Sequence, residues 1–217
     1  MEIFPSLISA DLLNLEKVIN SLNDKCDGFH IDVMDNHFVP NLTWGPAFIQ
    51  EFVKIAKIPL DVHLMVDDPQ GWIDKLKLRP IDYLIFHVEA CKDNEEIIKI
   101  CTKAKKIGCK IGMAINPKTK IDSFLGILNI FDQVLIMSVE PGFSGQKFDK
   151  SVMDKVQKIA ELKRKNNLKL KISMDGGIGK DNIKFLSENG VDRVGVATSV
   201  FGGGDYLKNL ADLYAQM

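Results

Sequence analysis

The chain has 217 residues, of which 46% are hydrophobic and 26% are charged, and its formal net charge at pH 7 is −1. This length fits one α/β barrel better than two full domains, and the composition excludes a disordered chain. Acidic residues are interleaved with the lysines, so the charge gives no reason to expect nucleic acid or an anionic membrane surface as a partner.

The cysteines and the first residues bear on where the protein works. Neither a Cys-x-x-Cys spacing nor a regular framework relates the four cysteines, Cys26, Cys91, Cys101 and Cys109. This pattern is typical of reduced thiols in a core. The chain does not begin with a basic segment that leads into an apolar one, and no apolar run approaches the length of a membrane span. We therefore expect a cytoplasmic protein.

Eight short segments rich in β-branched and apolar residues recur along the chain at about the spacing of one strand–helix unit. Each is a continuous apolar run, which is typical of strands buried on both faces. Stretches with helical periodicity lie between them, for example residues 11–19 and 151–159. In chain order, the predicted strands are Ile3–Ile8, Gly28–Met34, Leu60–Met65, Tyr83–Val88, Lys110–Ile115, Gln133–Val139, Leu168–Met174 and Arg193–Ala197.

Strict alternation of strands and helices implies parallel pairing, and eight such units predict a single (β/α)8 barrel, a TIM barrel, over residues 1–217. A doubly wound open sheet would give a similar pattern. The Gly-rich turn that such a sheet needs after its first strand is absent, because that position reads Ser9-Ala10-Asp11. Gly-rich turns follow the sixth, seventh and eighth predicted strands instead, where barrels build their phosphate sites.

Polar side chains interrupt the carboxyl ends of several predicted strands, and all four histidines lie within or just after a strand. Strands buried on both faces should carry such groups only where these point into the mouth of the barrel. Buried charges persist when they are paired, hydrogen-bonded or bound to metal. The interrupting residues are Ser9, Asp32, His63, His87 with Glu89, Asn116, Ser138 and Asp175.

Four of the polar residues form a candidate metal-ligand set. His30 and Asp32 share a face of the second strand because alternate residues of a strand point the same way. With His63 and Asp175 they offer two imidazoles and two carboxylates, which suits Zn²⁺, Fe²⁺, Mn²⁺ or Co²⁺. Taken singly, a buried histidine is more often a core residue than a ligand, and an Asp-Gly-Gly segment is more often a turn. Their joint placement favours a site for one divalent ion per subunit.

The sequence resembles the ribulose-phosphate 3-epimerase family over residues 5–202, with the family's motifs in order. The most specific match is His-Ile-Asp-Val-Met-Asp-Asn-His-Phe-Val-Pro-Asn at 30–41. The other matching segments are Pro-Ser-Leu-Ile-Ser-Ala-Asp at 5–11, Asp-Val-His-Leu-Met at 61–65, His-Val-Glu-Ala at 87–90, Met-Ser-Val-Glu-Pro-Gly-Phe-Ser-Gly-Gln at 137–146 and Asp-Gly-Gly-Ile at 175–178.

The resemblance implies a metal-dependent epimerase that inverts carbon 3 of a ketose phosphate, converting D-ribulose 5-phosphate to D-xylulose 5-phosphate through an enediolate. It implies that Asp32 and Asp175 form the acid–base pair and that His30, Asp32, His63 and Asp175 hold the metal. Methionines would surround the reacting carbons, and Gly-rich turns would hold the phosphate. The residues implied to contact substrate are Ser9, near the metal, with Met34, His63, Met65, Met137, Gly142, Phe143, Ser144, Gly145, Gln146, Asp175, Gly176, Gly177, Ala197 and Thr198.

Four positions depart from the family's pattern. Asn36 stands where the family has Gly, and asparagine tolerates the left-handed conformation better than most residues. Glu140 replaces Asn or Asp, and Ala197-Thr198 replaces Gly-Ser. Because these positions lie near the sugar or its phosphate, a 3-epimerase of a hexulose 6-phosphate of the allulose type, or of another ketose phosphate, is the leading alternative. A non-catalytic barrel that binds a sugar phosphate is a remoter one. The sequence does not decide whether the chain forms a homo-oligomer.

Overall fold

The computed structural model describes all 217 residues and contains one sheet of eight parallel strands. The strands are β1 (Glu2–Pro5), β2 (Phe29–Met34), β3 (Leu60–Met65), β4 (Tyr83–His87), β5 (Lys110–Ile115), β6 (Gln133–Met137), β7 (Lys171–Asp175) and β8 (Arg193–Val196). Their order in the sheet is β1-β8-β7-β6-β5-β4-β3-β2. A parallel bridge between Ser6 and His30 brings the two outermost strands together, so the sheet forms a nearly closed barrel.

Helices fill most of the connections between the strands. They are α1 (Leu15–Leu22), α2 (Pro46–Ile55), α3 (Pro69–Ile73), α4 (Asn94–Lys105), α5 (Met153–Lys165), α6 (Ile183–Glu188), α7 (Thr198–Phe201) and α8 (Tyr206–Tyr214). Between β5 and β6 the connection is a 3-10 helix, Ile121–Ile130. None of the helices is both long enough and apolar enough to cross a membrane.

The predicted barrel and its eight strands are confirmed, and the differences are confined to the ends of the elements. Two are the largest: β7 begins at Lys171 rather than Leu168, and β1 ends at Pro5 rather than Ile8 because Leu7–Ser9 form a turn of 3-10 helix. At β7 the strand extends to Asp175, so this carboxylate is part of the strand rather than of the turn that follows.

Alternate residues of each strand point to the helices or into the barrel, as β3 illustrates. Leu60, Val62 and Leu64 are fully buried and belong to the large hydrophobic cluster that the strands form with the helices. The intervening residues Asp61 and His63 are equally buried, yet each bonds to polar groups of other strands. The barrel interior is therefore where this fold places its buried polar groups.

The amino-terminal end of the barrel interior is filled by a network around Arg193. Its guanidinium donates to Asp61 Oδ1 at 2.7 Å, to Gln133 Oε1 at 2.6 Å and to Glu2 Oε2 at 2.8 Å. Gln133 Nε2 in turn donates to Asp61 Oδ2 at 2.9 Å. The guanidinium also lies 4.0 and 4.3 Å from the centres of two aromatic rings, those of Phe4 and Tyr83. Every charge in this network has an opposite charge within hydrogen-bond distance.

Candidate active site

The candidate active site lies at the carboxyl end of the barrel, where polar side chains of β2, β3 and β7 converge. The pairing register of β2 and β3 sets Asp32 beside His63, and His30 precedes Asp32 on the same face. With Asp175 at the end of β7, each of the four residues offers one ligand atom, and these atoms all lie within 4.8 Å of one another. The structure thus brings together the whole ligand set predicted from the sequence.

Three of the ligand atoms form a nearly equilateral triangle. His30 Nε2 lies 3.2 Å from Asp32 Oδ1, His63 Nδ1 lies 3.3 Å from the same oxygen, and the two nitrogens are 3.3 Å apart. Asp175 Oδ2 is 3.8 Å from His30 Nε2. The imidazoles are buried, whereas the Asp175 side chain is 15% exposed, so its carboxylate is the most accessible of the four groups.

The cluster fits a divalent metal ion. Tetrahedral bonds of about 2.0–2.1 Å place neighbouring ligand atoms about 3.3 Å apart, which matches the 3.2–3.3 Å triangle. The charges also fit, because no lysine or arginine pairs with either carboxylate, and the only ion pairs within the cluster involve histidine. One buried carboxylate and one largely buried carboxylate without a fixed cation need a positive charge from elsewhere, and a divalent ion supplies it.

The four groups strongly disturb one another's protonation. Burial alone would raise the pKa of Asp32, but His30 and His63 hold it well below its usual range. Burial, reinforced by the charge of Asp32, raises the pKa of Asp175. Burial opposes a charge on His30, yet the two carboxylates prevail and raise its pKa to about 9. Burial lowers the pKa of His63 to about 3, and neighbouring imidazoles contribute. The pKa values of the two carboxylates are therefore shifted in opposite directions, as an acid–base pair requires.

The hydroxyl beside the cluster belongs to Ser6, which donates to Asp32 Oδ2 at 2.5 Å and is buried. The family resemblance implied Ser9 as the serine near the metal. The structure corrects that position, because β1 ends at Pro5 and Ser9 closes the 3-10 turn that follows. The Ser9 hydroxyl instead lies 3.4 Å from that of Ser144 and does not line the cavity described next.

A cavity of about 240 Å³ opens beside the cluster. Asp32 and Asp175 line it together with three buried methionine side chains, those of Met34, Met65 and Met137. His63 does not line the cavity, since its ring is fully buried. A substrate in the cavity would therefore meet the carboxylates directly and would be surrounded by soft apolar groups that compete for no hydrogen bond.

The Gly-rich turns after β6 and β7 and the start of α7 form the rest of the predicted lining. Gly177 has φ 60°, and a Cβ there would lie 2.5 Å from the backbone nitrogen of Phe148, so only glycine fits. The amide of Gln146 is used within its own loop, donating to the carbonyls of Glu140 and Phe143. The predicted residues on this part of the lining are Gly142, Phe143, Ser144, Gly145, Gln146, Gly176, Gly177, Ala197 and Thr198.

Sequence reasoning missed several residues of the lining. Gly195 is one that a signal could have revealed, because a glycine inside a strand often marks a close approach of another group. A Cβ on Gly195 would lie 2.9 Å from Asp175 Oδ1 and 3.4 Å from Cγ of His30. The other lining residues that were missed are Ser6, Ile8, Val139, Pro141, Ile178 and Ser199.

The segment after β2 is held by hydrogen bonds to the loops that follow β3 and β6. Asp35 accepts backbone hydrogen bonds from His37 and Phe38 through Oδ1 and from Asp67 through Oδ2. Asn36 has φ 60°, so this asparagine adopts the left-handed conformation, which asparagine tolerates better than most residues. Asn41 donates to the carbonyl of Gly142 at 2.8 Å, which ties this segment to the loop after β6.

The comparisons with known proteins agree with this architecture. Residues 2–201 match the model of the ribulose-phosphate 3-epimerase family. A Mycobacterium tuberculosis protein named ribulose-phosphate 3-epimerase is 36% identical over 214 residues, covering 99% of this chain and 92% of the relative. A Bacillus subtilis protein of the same name is 34% identical over 215 residues, covering 98% of each chain.

Among solved structures, a mutant tryptophan synthase alpha-subunit from Pyrococcus furiosus aligns with a TM-score of 0.71 at 12% identity. The alignment covers 99% of this chain and 98% of that one, and at this identity it supports the fold alone. Fold and site together define a (β/α)8-barrel enzyme with a candidate metal centre at its carboxyl-terminal mouth. The chain belongs to the ribulose-phosphate 3-epimerase family, and it is an isomerase of the epimerase class. The resemblance read from the sequence is confirmed.

Proposed function

We propose that the protein is a metal-dependent 3-epimerase that interconverts D-ribulose 5-phosphate and D-xylulose 5-phosphate. The observation that carries the proposal is the triangle of His30, Asp32 and His63 ligand atoms, completed by Asp175, beside a cavity lined by two carboxylates. The relatives named ribulose-phosphate 3-epimerase support the choice of substrate.

One divalent ion would be held by Nε2 of His30, Nδ1 of His63 and a carboxylate oxygen from each of Asp32 and Asp175. When bound, the ion supplies Lewis-acid polarisation of the ketone and the neighbouring hydroxyl, which stabilises the enediolate. The donor set suits Zn²⁺, Fe²⁺, Mn²⁺ and Co²⁺ alike.

Asp32 and Asp175 carry the proton transfers. Epimerisation removes the carbon 3 proton from one face and returns a proton to the other, and one base cannot readily serve both faces. Asp32 on β2 and Asp175 on β7 both reach the cavity from separate strands. In the metal-free cluster the pKa of Asp32 is lowered and that of Asp175 is raised, so the two carboxylates differ in their affinity for a proton, as an acid and a base must.

Neighbouring side chains orient Asp32 and shield both carboxylates from water. The Ser6 hydroxyl occupies Oδ2 of Asp32, which leaves Oδ1 directed at the two imidazoles. The methionines beside the carboxylates exclude water from the reacting carbon.

The Gly-rich turns and the first turn of α7 offer backbone N–H groups for the phosphate of the substrate. Binding energy from this remote group positions carbon 3 between the two carboxylates. The phosphate is common to every ketose phosphate, so these turns favour the class of substrate rather than one sugar.

A substrate panel tests the proposal. D-ribulose 5-phosphate and several hexulose 6-phosphates are incubated in deuterated water with the metal-loaded protein, and exchange at carbon 3 is followed by NMR. We expect the fastest exchange with D-ribulose 5-phosphate, and its loss when the metal is removed by a chelator. Faster exchange with a hexulose 6-phosphate would transfer the assignment to that sugar, and undiminished activity in verified metal-free protein would overturn the role of the metal.

A further inference from the structure

A chain of hydrogen bonds leads from His63 away from the ligand cluster. His63 Nε2 lies 2.8 Å from His87 Nε2, and His87 Nδ1 lies 3.1 Å from Glu89 Oε2. The other oxygen, Glu89 Oε1, accepts the backbone N–H of Asn116 at 2.7 Å. The chain joins β3, β4 and the end of β5, and both imidazoles in it are fully buried.

The donors and acceptors of this chain are satisfied by one arrangement of protons. Nδ1 of His63 faces Asp32 and His30 and is the ligand atom, so its ring proton belongs on Nε2. Nε2 of His87 must then accept a hydrogen bond from that N–H, so the His87 ring carries its own proton on Nδ1. That N–H in turn is donated to the carboxylate of Glu89.

Packing holds the same two rings in register. The rings of His63 and His87 are stacked, with centres 5.0 Å apart and planes inclined by 29°. Phe38, from the segment after β2, packs on His87 with ring centres 4.8 Å apart. His87 can therefore neither swing away from His63 nor turn its Nδ1 away from Glu89 without disturbing these contacts.

We propose that His87 and Glu89 are positioning residues that fix Nδ1 of His63 as the metal-ligating nitrogen and so strengthen metal binding. The inference rests on the proposed metal-dependent function. A ligating histidine is commonly oriented by a hydrogen bond from its other ring nitrogen. Here that bond ends on a second histidine, which is itself held by a carboxylate.

The position would not need a histidine for packing alone. Tyr83 and Ile85 occupy the same face of β4 and pack with apolar side chains in a small cluster of their own. A buried polar chain is costly unless each member finds a partner, and an apolar residue would avoid that cost. A role in orienting the metal ligand His63 explains why this polar hydrogen-bond chain is present in spite of its cost.

The experiment measures metal binding in full-length protein with Co²⁺ as the probe. The dissociation constant is obtained by competition with a chelator, the visible absorption spectrum of the Co²⁺-loaded protein is recorded, and the Tm of the metal-free protein monitors folding. The variants are His87→Phe, which fills the space without an acceptor, His87→Gln, which retains one, and Glu89→Gln. The control is Ile85→Val, which loosens packing on the same face of β4 and leaves the hydrogen bonds intact.

We expect His87→Phe to weaken Co²⁺ binding by about 10- to 100-fold and to change the spectrum. We expect His87→Gln to recover most of the affinity, because its carbonyl oxygen can accept from Nε2 of His63. Glu89→Gln should lie between the two, since its single carbonyl oxygen cannot serve both the His87 ring and the Asn116 backbone. Ile85→Val should bind as the wild type does.

A wild-type constant and spectrum in His87→Phe would overturn the inference, as would a His87→Gln variant no better than His87→Phe. If His87→Phe does not fold, Glu89→Gln decides, and wild-type binding in that variant overturns the inference. Failure of the wild-type protein itself to bind Co²⁺ would instead overturn the proposed metal-dependent function, so the two failures are distinguishable.

Discussion

The two ends of the barrel interior solve the same problem in opposite ways. Both bury polar or charged side chains on inward-facing positions. β3 contributes one to each end, Asp61 to the amino-terminal end and His63 to the carboxyl end. At the amino-terminal end Arg193 provides a built-in cation that pairs with Asp61 and Glu2. At the carboxyl end two carboxylates face two histidines with no lysine or arginine among them. The amino-terminal end, which has its own cation, is called the closed end below, and the carboxyl end is called the open end.

This difference separates a structural network from a binding site. Where the protein supplies its own cation, every partner is satisfied within the fold and no ligand is needed. Where it does not, the carboxylates depend on protons or on an ion from solution, and their pKa values diverge. The buried polar residues alone would not reveal which end is functional, whereas the missing cation does.

The largest effect should come from Asp175→Asn at the open end. We expect kcat to fall by roughly 10²- to 10⁴-fold because the variant loses one partner of the acid–base pair. Its Tm should change little, since the amide has the same shape and removes one of two facing negative charges. Steady-state kinetics and thermal melting test this together.

The matched control is Asp61→Asn, the same substitution at the closed end. It weakens the pairing with Arg193, so we expect a lower Tm and a kcat within a few-fold of the wild type. If Asp175→Asn kept a kcat within tenfold of the wild type, its assignment to the acid–base pair would be wrong. Equal losses of kcat in both variants would erase the functional distinction between the two ends.

Arg193→Met should have the largest effect on stability. Removing the guanidinium leaves Asp61 and Glu2 buried or half-buried without their cation, which typically costs about 3–5 kcal/mol of unfolding free energy. Denaturant unfolding measures the loss, with Lys163→Met as the control. Lys163 pairs with Asp192 at the partly exposed surface, where an ion pair contributes about 1 kcal/mol or less. Similar losses in the two variants would contradict the closed network.

The open end should also make the metal-free protein sensitive to pH. The folded-state pKa of His30 is raised from 6.5 to about 9, so its contribution to stability is present below pH 6.5 and is lost as the pH rises through 9. The raised pKa of Asp175 acts in the same direction over a lower range, between 3.8 and about 7, because the folded state again binds more protons than the unfolded state. We therefore expect the Tm of metal-free protein to fall between pH 6.5 and 9.

Binding of metal should remove this pH dependence, since the ion displaces the protons from its ligands. Melting curves of metal-free and Zn²⁺-loaded protein over the same pH range provide the comparison. A flat Tm in metal-free protein, or the same slope with Zn²⁺ bound, would show that protons and metal do not compete at this cluster.

Sequence reasoning predicted the open end far better than the closed one. Polar residues at the carboxyl ends of apolar strands are conspicuous, and His30, Asp32, His63 and Asp175 were grouped on that basis. Asp61, Gln133 and Arg193 lie at the starts of their strands, where a charged residue is also compatible with an exposed strand end. Only the three-dimensional structure shows that these three side chains meet, because they are distant in sequence.

The fold was predictable because eight apolar strands alternate with helical segments, a pattern that depends on local residues. The ends of the strands were less so, because they depend on where the chain leaves the barrel. The family resemblance placed Ser9 near the metal, whereas β1 ends at Pro5 and the Ser6 hydroxyl is the one that bonds to Asp32.

The smallest predicted effect compares these two serines. Ser6→Ala removes a hydrogen bond to the Asp32 carboxylate, and bonds to charged groups contribute about 1.5–3 kcal/mol. Water entering from the cavity can replace part of it, so we expect kcat to fall by about tenfold. Ser9→Ala removes only a long contact with the Ser144 hydroxyl at the rim, and its kcat should stay within about twofold of the wild type. Steady-state kinetics of the two variants measures the difference. A larger loss of kcat in Ser9→Ala than in Ser6→Ala would favour Ser9 as the serine that acts near the reacting carbon.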